Sequence, residues 1–186
     1  DEVNALRKMC EINGIRPLVE RSRSGQGAHV WIFFKKPIPA SVARNFGFML
    51  LDKGSASVNM KSFHYYDRMY PSQDVASSIG NLIALPLQGQ ALKKGNSAFV
   101  DENWNAYPDQ WDILLNHTRK LESEEIEQYM KNWKREMFSS VVDGSGDTFE
   151  NRPKPWKKKE KFSSGDVTGK LHIVLGDGVY IDTLNL

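Results

Sequence analysis

The run Ala-His-Val-Trp-Ile-Phe-Phe at residues 28–34 places the strongest constraint on what this chain can fold into. Its β-branched and aromatic side chains favour a buried strand. Residues 15–20 are also apolar and predict a second strand, and the polar, glycine-containing residues 21–27 connect the two. The chain is therefore expected to bring two strands together early, across a turn at residues 21–27.

Helical periodicity surrounds these strands. Apolar residues recur at helical spacing within residues 1–13, 42–50, 110–118 and 123–138, which predicts four amphipathic helices. Further strands are predicted at residues 62–66, 82–87 and 97–100. This mixture of helices and strands predicts an α+β fold.

Length and composition limit the class of protein. The chain has 186 residues, which suits one domain with at most a small appendage. Its single cysteine, Cys10, excludes an internal disulfide framework and a zinc site built from several cysteines. No apolar run approaches the ~20 residues that span a bilayer. We therefore expect a cytoplasmic protein with no membrane partner.

The charge is unevenly distributed. The net charge is +2, but residues 152–161 alone carry six basic residues and one acidic residue, a local +5, so the other 176 residues carry −3. Residues 139–170 are rich in Gly, Ser, Pro and Lys and lack periodicity, which predicts a basic flexible linker. Residues 171–186 predict a small β-hairpin turning at residues 176–178 and beginning a following segment.

The turn before the buried strand is a candidate phosphate site. Ser24, Gly25 and Gly27 would let backbone N–H groups approach phosphate oxygens, and His29 on the following strand can donate a hydrogen bond to the same anion. Arg21 and Arg23 stand beside the turn. The alternative interpretation is an ordinary hairpin turn with solvated arginines and a structural histidine.

Asp67 is the candidate metal ligand. It is expected to end an apolar strand, where a carboxylate is held rigidly and can bind a hard cation such as Mg²⁺. Asp74 lies in the following turn, where a hydrogen bond to the backbone is the simpler explanation. Whether Asp67 or Asp74 binds the metal is left open. No Gly-x-Ser-x-Gly, His-Glu-x-x-His or Cys/His ligand motif is present in the sequence.

Several ordered blocks resemble one family. Ser24-Gly25-x-Gly27-x-His29-Val30-Trp31 is similar to the second motif of the archaeo-eukaryotic primase superfamily, and most closely to the primase-polymerase domain of bacterial TOTE conflict systems. The blocks at residues 66–74, 80–88, 95–101 and 108–111 extend the likeness. The resemblance is dense over residues 1–115 and looser beyond them.

The resemblance implies a fold and an activity for residues 1–138. The fold would be a primase-polymerase core with an antiparallel sheet like that of RNA-recognition domains, flanked by helices. The activity would be template-dependent nucleotidyl transfer by a two-metal mechanism, with nucleoside triphosphate as substrate and Mg²⁺ or Mn²⁺ as cofactor. His29 would contact the incoming triphosphate, and Asp67 would be the metal ligand of the third motif. Phosphate or template contacts are implied for the turn residues Ser24, Gly25 and Gly27 and for Arg21 and Arg23.

One family feature is missing from the sequence. The first motif, a strand ending Asp-x-Asp or Asp-x-Glu, would precede the first helix, and the adjacent pair Asp1-Glu2 does not reproduce its i, i+2 geometry. We therefore expect a domain truncated past this motif, which folds but does not polymerise by itself. The family also implies a DNA template and primer as partners, with a helicase and in some cases a nuclease in the same protein or operon.

Nucleic-acid contacts have separate candidates. They are Trp31, Asn81 and the lysines of the basic segment, Lys157, Lys158 and Lys159. Aromatic rings such as those of Trp31 and Tyr66 can stack on bases. The alternative to an enzyme is therefore a non-catalytic module of similar fold that binds nucleotide or nucleic acid.

Overall fold

The computed structural model describes residues 2–57, 65–75, 82–142 and 171–177. Five helices and five strands occur in this part of the chain, in an α+β arrangement. The helices are α1 (Glu2–Ile12), α2 (Ala40–Ser57), α3 (Gly89–Leu92), α4 (Gln110–Asn116) and α5 (Ser123–Val142). The strands are β1 (Leu18–Arg21), β2 (Ala28–Phe34), β3 (Tyr66–Tyr70), β4 (Lys120–Leu121) and β5 (Leu171–Asp177).

The strands form one mixed sheet in the order β1-β2-β5-β3. β1 pairs with β2 in antiparallel register, so that Glu20 lies opposite His29. β5 pairs with the whole of β2 and also with β3, and both pairings are parallel. β4 pairs with the end of β2, at Phe33 and Phe34. β2 is thus the strand around which the sheet is organised.

One face of the sheet carries the main hydrophobic core. Alternate residues of β2 point to this face because successive side chains of a strand lie on opposite sides. The apolar sides of α1, α2 and α5 cover them, as the helical periodicity predicts, and Phe46 of α2 stacks on Trp133 of α5 with ring centroids 5.8 Å apart. The buried residues of β2 in this core are Ala28, Val30, Ile32 and Phe34.

The other face holds a second, smaller core. It is centred on Trp31 and Phe33 of β2, which stack on each other, and on Phe99. Partly buried residues from the chain between β3 and α4 and from α4 itself pack against it, among them Leu87 and Ile113. His29 lies on the same face as Trp31, two residues nearer the start of β2. This face therefore presents the candidate phosphate site beside a packed aromatic cluster.

The α+β class and the helices at α1, α2, α4 and α5 are confirmed, as are the strands β1 and β2. The sheet is mixed rather than antiparallel throughout. The third strand is Tyr66–Tyr70, which overlaps the predicted 62–66 at Tyr66 and extends beyond it by pairing with β5; residues 62–64 lie outside the described residues. Residues 82–87 form no strand; Ile83 and Leu87 pack on the sheet face, while Leu82 is exposed. Residues 97–100 make isolated bridges rather than a strand.

The C-terminal elements also differ from expectation. α5 continues to Val142, beyond the predicted core boundary at 138. Residues 171–177 form a single strand between β2 and β3, and Gly176 and Asp177 pair with Phe33 and Phe34 instead of turning. Residues 171–177 therefore form part of the core sheet. The predicted second hairpin strand and most of the predicted linker lie outside the described residues. No helix in the described ranges is both long enough and apolar enough to cross a membrane.

Candidate functional site

Glu20 and His29 form the centre of the candidate site. They are directly opposite each other on β1 and β2, and His29 Nδ1 lies 3.0 Å from Glu20 Oε2. The side chains are 12% and 2% exposed for His29 and Glu20, respectively. Oε2 of Glu20 acts as an acceptor here, since it also accepts from Trp31 Nε1, so we assign Nδ1 as the donor; Nε2 is on the side of the ring away from Glu20.

The Glu20 carboxylate accepts two further hydrogen bonds from side chains. Trp31 Nε1 donates to the same oxygen, Oε2, at 2.8 Å, and Ser97 Oγ donates to Oε1 at 3.1 Å. A buried carboxylate is costly unless such donors satisfy it. Both oxygens of Glu20 are therefore held by the protein.

Ser97 connects this carboxylate to the loop before α3. Its Oγ accepts a hydrogen bond from the backbone N–H of Gln88 at 3.2 Å, and its carbonyl accepts from the backbone N–H of Leu87 at 2.7 Å. Ser97 is fully buried and has a φ of 54°, a conformation that a non-glycine residue adopts only when its surroundings hold it there. The β1–β2 hairpin and the blocks at residues 80–88 and 95–101 thus meet at Glu20.

Neither Glu20 nor Ser97 was predicted as a site residue from the sequence. The available signal for Glu20 was the hairpin itself, because closing the turn at residues 21–27 places Glu20 opposite His29. Ser97 had no comparable signal, since it reaches Glu20 from 77 residues further along the chain.

The turn at residues 22–27 satisfies much of its own backbone. The N–H of Ser22 donates to Gly27 O at 2.8 Å, that of Gly25 donates to Ser22 O at 2.9 Å, and that of Gly27 donates to Ser22 Oγ at 3.0 Å. The N–H of Gln26 lies 3.3 Å from Ser24 Oγ. The predicted nest of free N–H groups is therefore smaller than expected.

Two amides of this turn have no acceptor in the part of the chain that the structure describes, those of Arg23 and Ser24. Both residues are exposed. The turn can therefore still offer two N–H groups and the Ser24 hydroxyl to an anion.

The two arginines beside the turn have different environments. Arg21 donates to Gly95 O at 2.7 Å and also to Trp104 O, so its guanidinium ties the hairpin to the following segment. Its contact with phosphate stays a prediction. Arg23 is exposed, and its guanidinium makes no hydrogen bond or ion pair with the described residues. Arg23 is thus the arginine available to a ligand.

Asp67 lies near the start of β3 rather than at the end of a strand. It falls in an irregularity of register between Tyr66 and Arg68, and such β-bulges re-aim side chains. Its side chain is only 9% exposed and accepts from Arg68 Nε at 3.0 Å. A hydrogen bond with the Tyr70 hydroxyl, together with the charge of Asp67, raises the pKa of Arg68. Asp67 therefore lies directly beside a cation.

The sheet places Arg68, which follows Asp67 in the chain, on the same face as His29. His29 pairs with His172 of β5, and His172 pairs in turn with Arg68. Residues directly opposite on neighbouring strands share a face, so Arg68 and His29 lie on the same face two strands apart, about 10 Å between Cα atoms. A nucleoside triphosphate is long enough to bridge this distance.

The metal prediction has only partial support in the geometry. Within the described ranges, no group of three or more His, Cys, Asp or Glu side chains is arranged to hold a metal ion. Asp74 is 64% exposed and pairs with Arg44, whose Nε is 2.7 Å from Asp74 Oδ1. Asp67 is thus the better-held carboxylate of the two, but the described residues alone do not assemble a complete ligand set around it.

The remaining nucleic-acid candidates divide into two groups. Trp31 is 8% exposed, stacks on Phe33 and binds Glu20, so its ring is part of the core and offers no open surface for a base. Tyr66 is partly buried against the main core, and this burial raises the pKa of its hydroxyl to about 12. Asn81, Lys157, Lys158 and Lys159 lie outside the described residues.

Comparison with known protein families identifies one family for this chain. The family model described as TOTE conflict system, Archaeo-Eukaryotic Primase domain matches residues 1–129, well over half of the chain. The chain therefore belongs to this family of primase-like domains, and the suspected resemblance is confirmed. No curated protein and no solved structure matches the chain.

Proposed function

We propose that this chain is the nucleotide-binding part of a template-dependent nucleotidyltransferase, a primase-polymerase that extends a DNA primer. The observation that carries the proposal is the Glu20–His29 pair on the two strands that the 22–27 turn joins. It directs one imidazole nitrogen away from Glu20, next to a turn that offers two amides, a hydroxyl and an exposed arginine. This is a suitable set of donors for a triphosphate.

Asp67 completes the proposal on the other side of β5. In this family, chemistry consists mainly of positioning the triphosphate and neutralising charge on it. We propose that Asp67 supplies one ligand for Mg²⁺ or Mn²⁺, with further carboxylates coming from residues that the structure does not describe or from the family's first motif. The expectation that this chain alone does not extend a primer belongs to the proposal, as does a helicase in the same protein.

Primer extension tests this proposal in a version of the protein that carries the family's first motif upstream of Asp1. His29→Ala and Asp67→Ala are each expected to reduce extension of a primed DNA template by at least 100-fold, while Asp74→Ala retains most of it. Asp74→Ala is the matched control because its carboxylate is exposed and bound to Arg44. Full activity of Asp67→Ala would transfer the metal role to Asp74 or another carboxylate.

The alternative, a binding module without catalytic activity, predicts a different result for the same variants. It predicts binding of ATP or dATP that depends on His29 but no extension by any variant, even with the first motif present. That result would replace the enzymatic proposal and keep the nucleotide site.

A further inference from the structure

We propose that Glu20 is the positioning residue of this site, which holds the imidazole of His29 so that Nε2 faces the triphosphate. The inference rests on the nucleotide site proposed above and adds a residue to it. Glu20 itself touches no ligand in this arrangement, because its side chain is only 2% exposed and its Oε2 faces His29 Nδ1.

The free-energy cost of burying the Glu20 carboxylate indicates a role beyond stability. A carboxylate in a sheet interior loses its hydration. Replacing buried ionic groups by well-packed apolar residues often leaves the stability of a protein unchanged or increases it. The fold nevertheless commits three side-chain donors to this one carboxylate, from His29, Trp31 and Ser97. What an apolar residue could not provide is an acceptor for His29 Nδ1.

The arrangement determines which His29 nitrogen faces a ligand. With the Nδ1 proton directed to Glu20 Oε2 at 3.0 Å, the ring orientation is set by that hydrogen bond. The Trp31 ring meets the His29 ring edge-on, with centroids 6.3 Å apart and an interplanar angle of 80°, which restricts rotation further. A phosphate oxygen at Nε2 would then meet an imidazole that is already oriented.

The carboxylate is itself immobilised from its other side. Ser97 Oγ donates to Oε1 at 3.1 Å, and the Gln88 amide donates to Ser97 Oγ at 3.2 Å. Glu20 is thus held at both oxygens. A side chain that positions another side chain must itself be fixed in this way.

A double-mutant cycle on nucleotide affinity tests the inference. The Kd for ATP would be measured by calorimetry for the wild type, Glu20→Gln, His29→Ala and the double variant. Glu20→Gln keeps the size of the side chain but lets it donate as well as accept. If Glu20 acts through His29, Glu20→Gln weakens binding about tenfold in the wild type and has no further effect once His29 is alanine.

A purely structural Glu20 gives a different pattern. The loss on Glu20→Gln would then be equal in both backgrounds, and that additivity would overturn the inference while leaving the nucleotide site standing. If His29→Ala itself leaves the Kd unchanged, or if the wild type does not bind ATP, the proposed site fails and the inference fails with it.

Ser97→Ala provides a second variant that does not alter the hairpin. It frees Oε1 of Glu20 without touching His29, and we expect a loss of about threefold in ATP affinity that also disappears in the His29→Ala background. Histidine ring ¹⁵N NMR gives an independent readout. The Nδ1 of His29 should be protonated in the wild type, and an unprotonated Nδ1 would overturn the inference.

Discussion

Gly25 and Asn96 are in close approach at the tip of the β1–β2 hairpin. A Cβ on Gly25 would lie 2.8 Å from Asn96 Oδ1, and Gly25 has a φ of +80°, a conformation that favours glycine. Asn96 Nδ2 also lies 3.3 Å from Arg23 O, on the exposed side of the turn. Asn96, in the 95–101 block, therefore packs against the turn that we propose binds phosphate.

Gly25→Ala is predicted to destabilise the protein by about 1–2 kcal/mol, since the methyl group displaces Asn96 and the backbone resists a positive φ. Urea unfolding measures the change. Gly89→Ala is the matched control, because a Cβ on Gly89 would meet no atom within 4 Å and Gly89 has no positive φ. It should stay within about 0.5 kcal/mol of the wild type. Equal effects of the two substitutions would contradict the close approach.

Alanine substitutions of Arg21 and Arg23 are predicted to affect different properties, stability for Arg21 and ATP binding for Arg23. Arg21→Ala leaves the carbonyls of Gly95 and Trp104 without their donor and should reduce the free energy of unfolding by about 1–3 kcal/mol. Arg23→Ala should change stability by less than about 0.5 kcal/mol. It should weaken ATP binding instead, and the loss should shrink as salt rises because exposed charges are screened. Urea unfolding and an ATP titration at two salt concentrations separate the two roles, and a reversed assignment would refute the distinction.

The parts of the site that sequence predicted well are local ones. The turn at residues 21–27 and the strand carrying His29 follow from glycine content and from β-branched and aromatic residues, which act over a few neighbouring positions. The division of β2 into two faces follows in the same way from strand alternation. These features needed no knowledge of distant residues.

The parts that sequence did not predict depend on distant pairing. β5 inserts between β2 and β3 although it lies more than 130 residues beyond β2, and no local pattern at residues 171–177 indicates its partners. The extension of β3 to Tyr70 was missed for the same reason, since Asp67 and Arg68 are polar and pairing with β5 makes their segment a strand. The commitment of Arg21 and Trp31 to internal contacts also depended on residues far along the chain.

The aromatic stack between α2 and α5 should be a major source of stability. Trp133 is 3% exposed and stacks on Phe46 and Tyr129. Trp133→Ala is predicted to cost about 3–5 kcal/mol through lost burial and the cavity left behind. Trp111→Ala removes the same side chain from a site that is 60% exposed and should cost less than about 1 kcal/mol. Urea unfolding of the two variants measures the contrast, and similar losses would mean that α5 does not pack on α2 as described.

Cys10 should report on the integrity of the main core. It is fully buried in α1, and burial raises the pKa of its thiol, so both access and thiolate formation are suppressed in the folded state. As it is the chain's only cysteine, a thiol reagent such as DTNB gives an unambiguous signal. We predict no labelling within minutes in native buffer at mildly alkaline pH and complete labelling of the thiol after addition of urea. Rapid labelling without urea would show that α1 detaches from the sheet under native conditions.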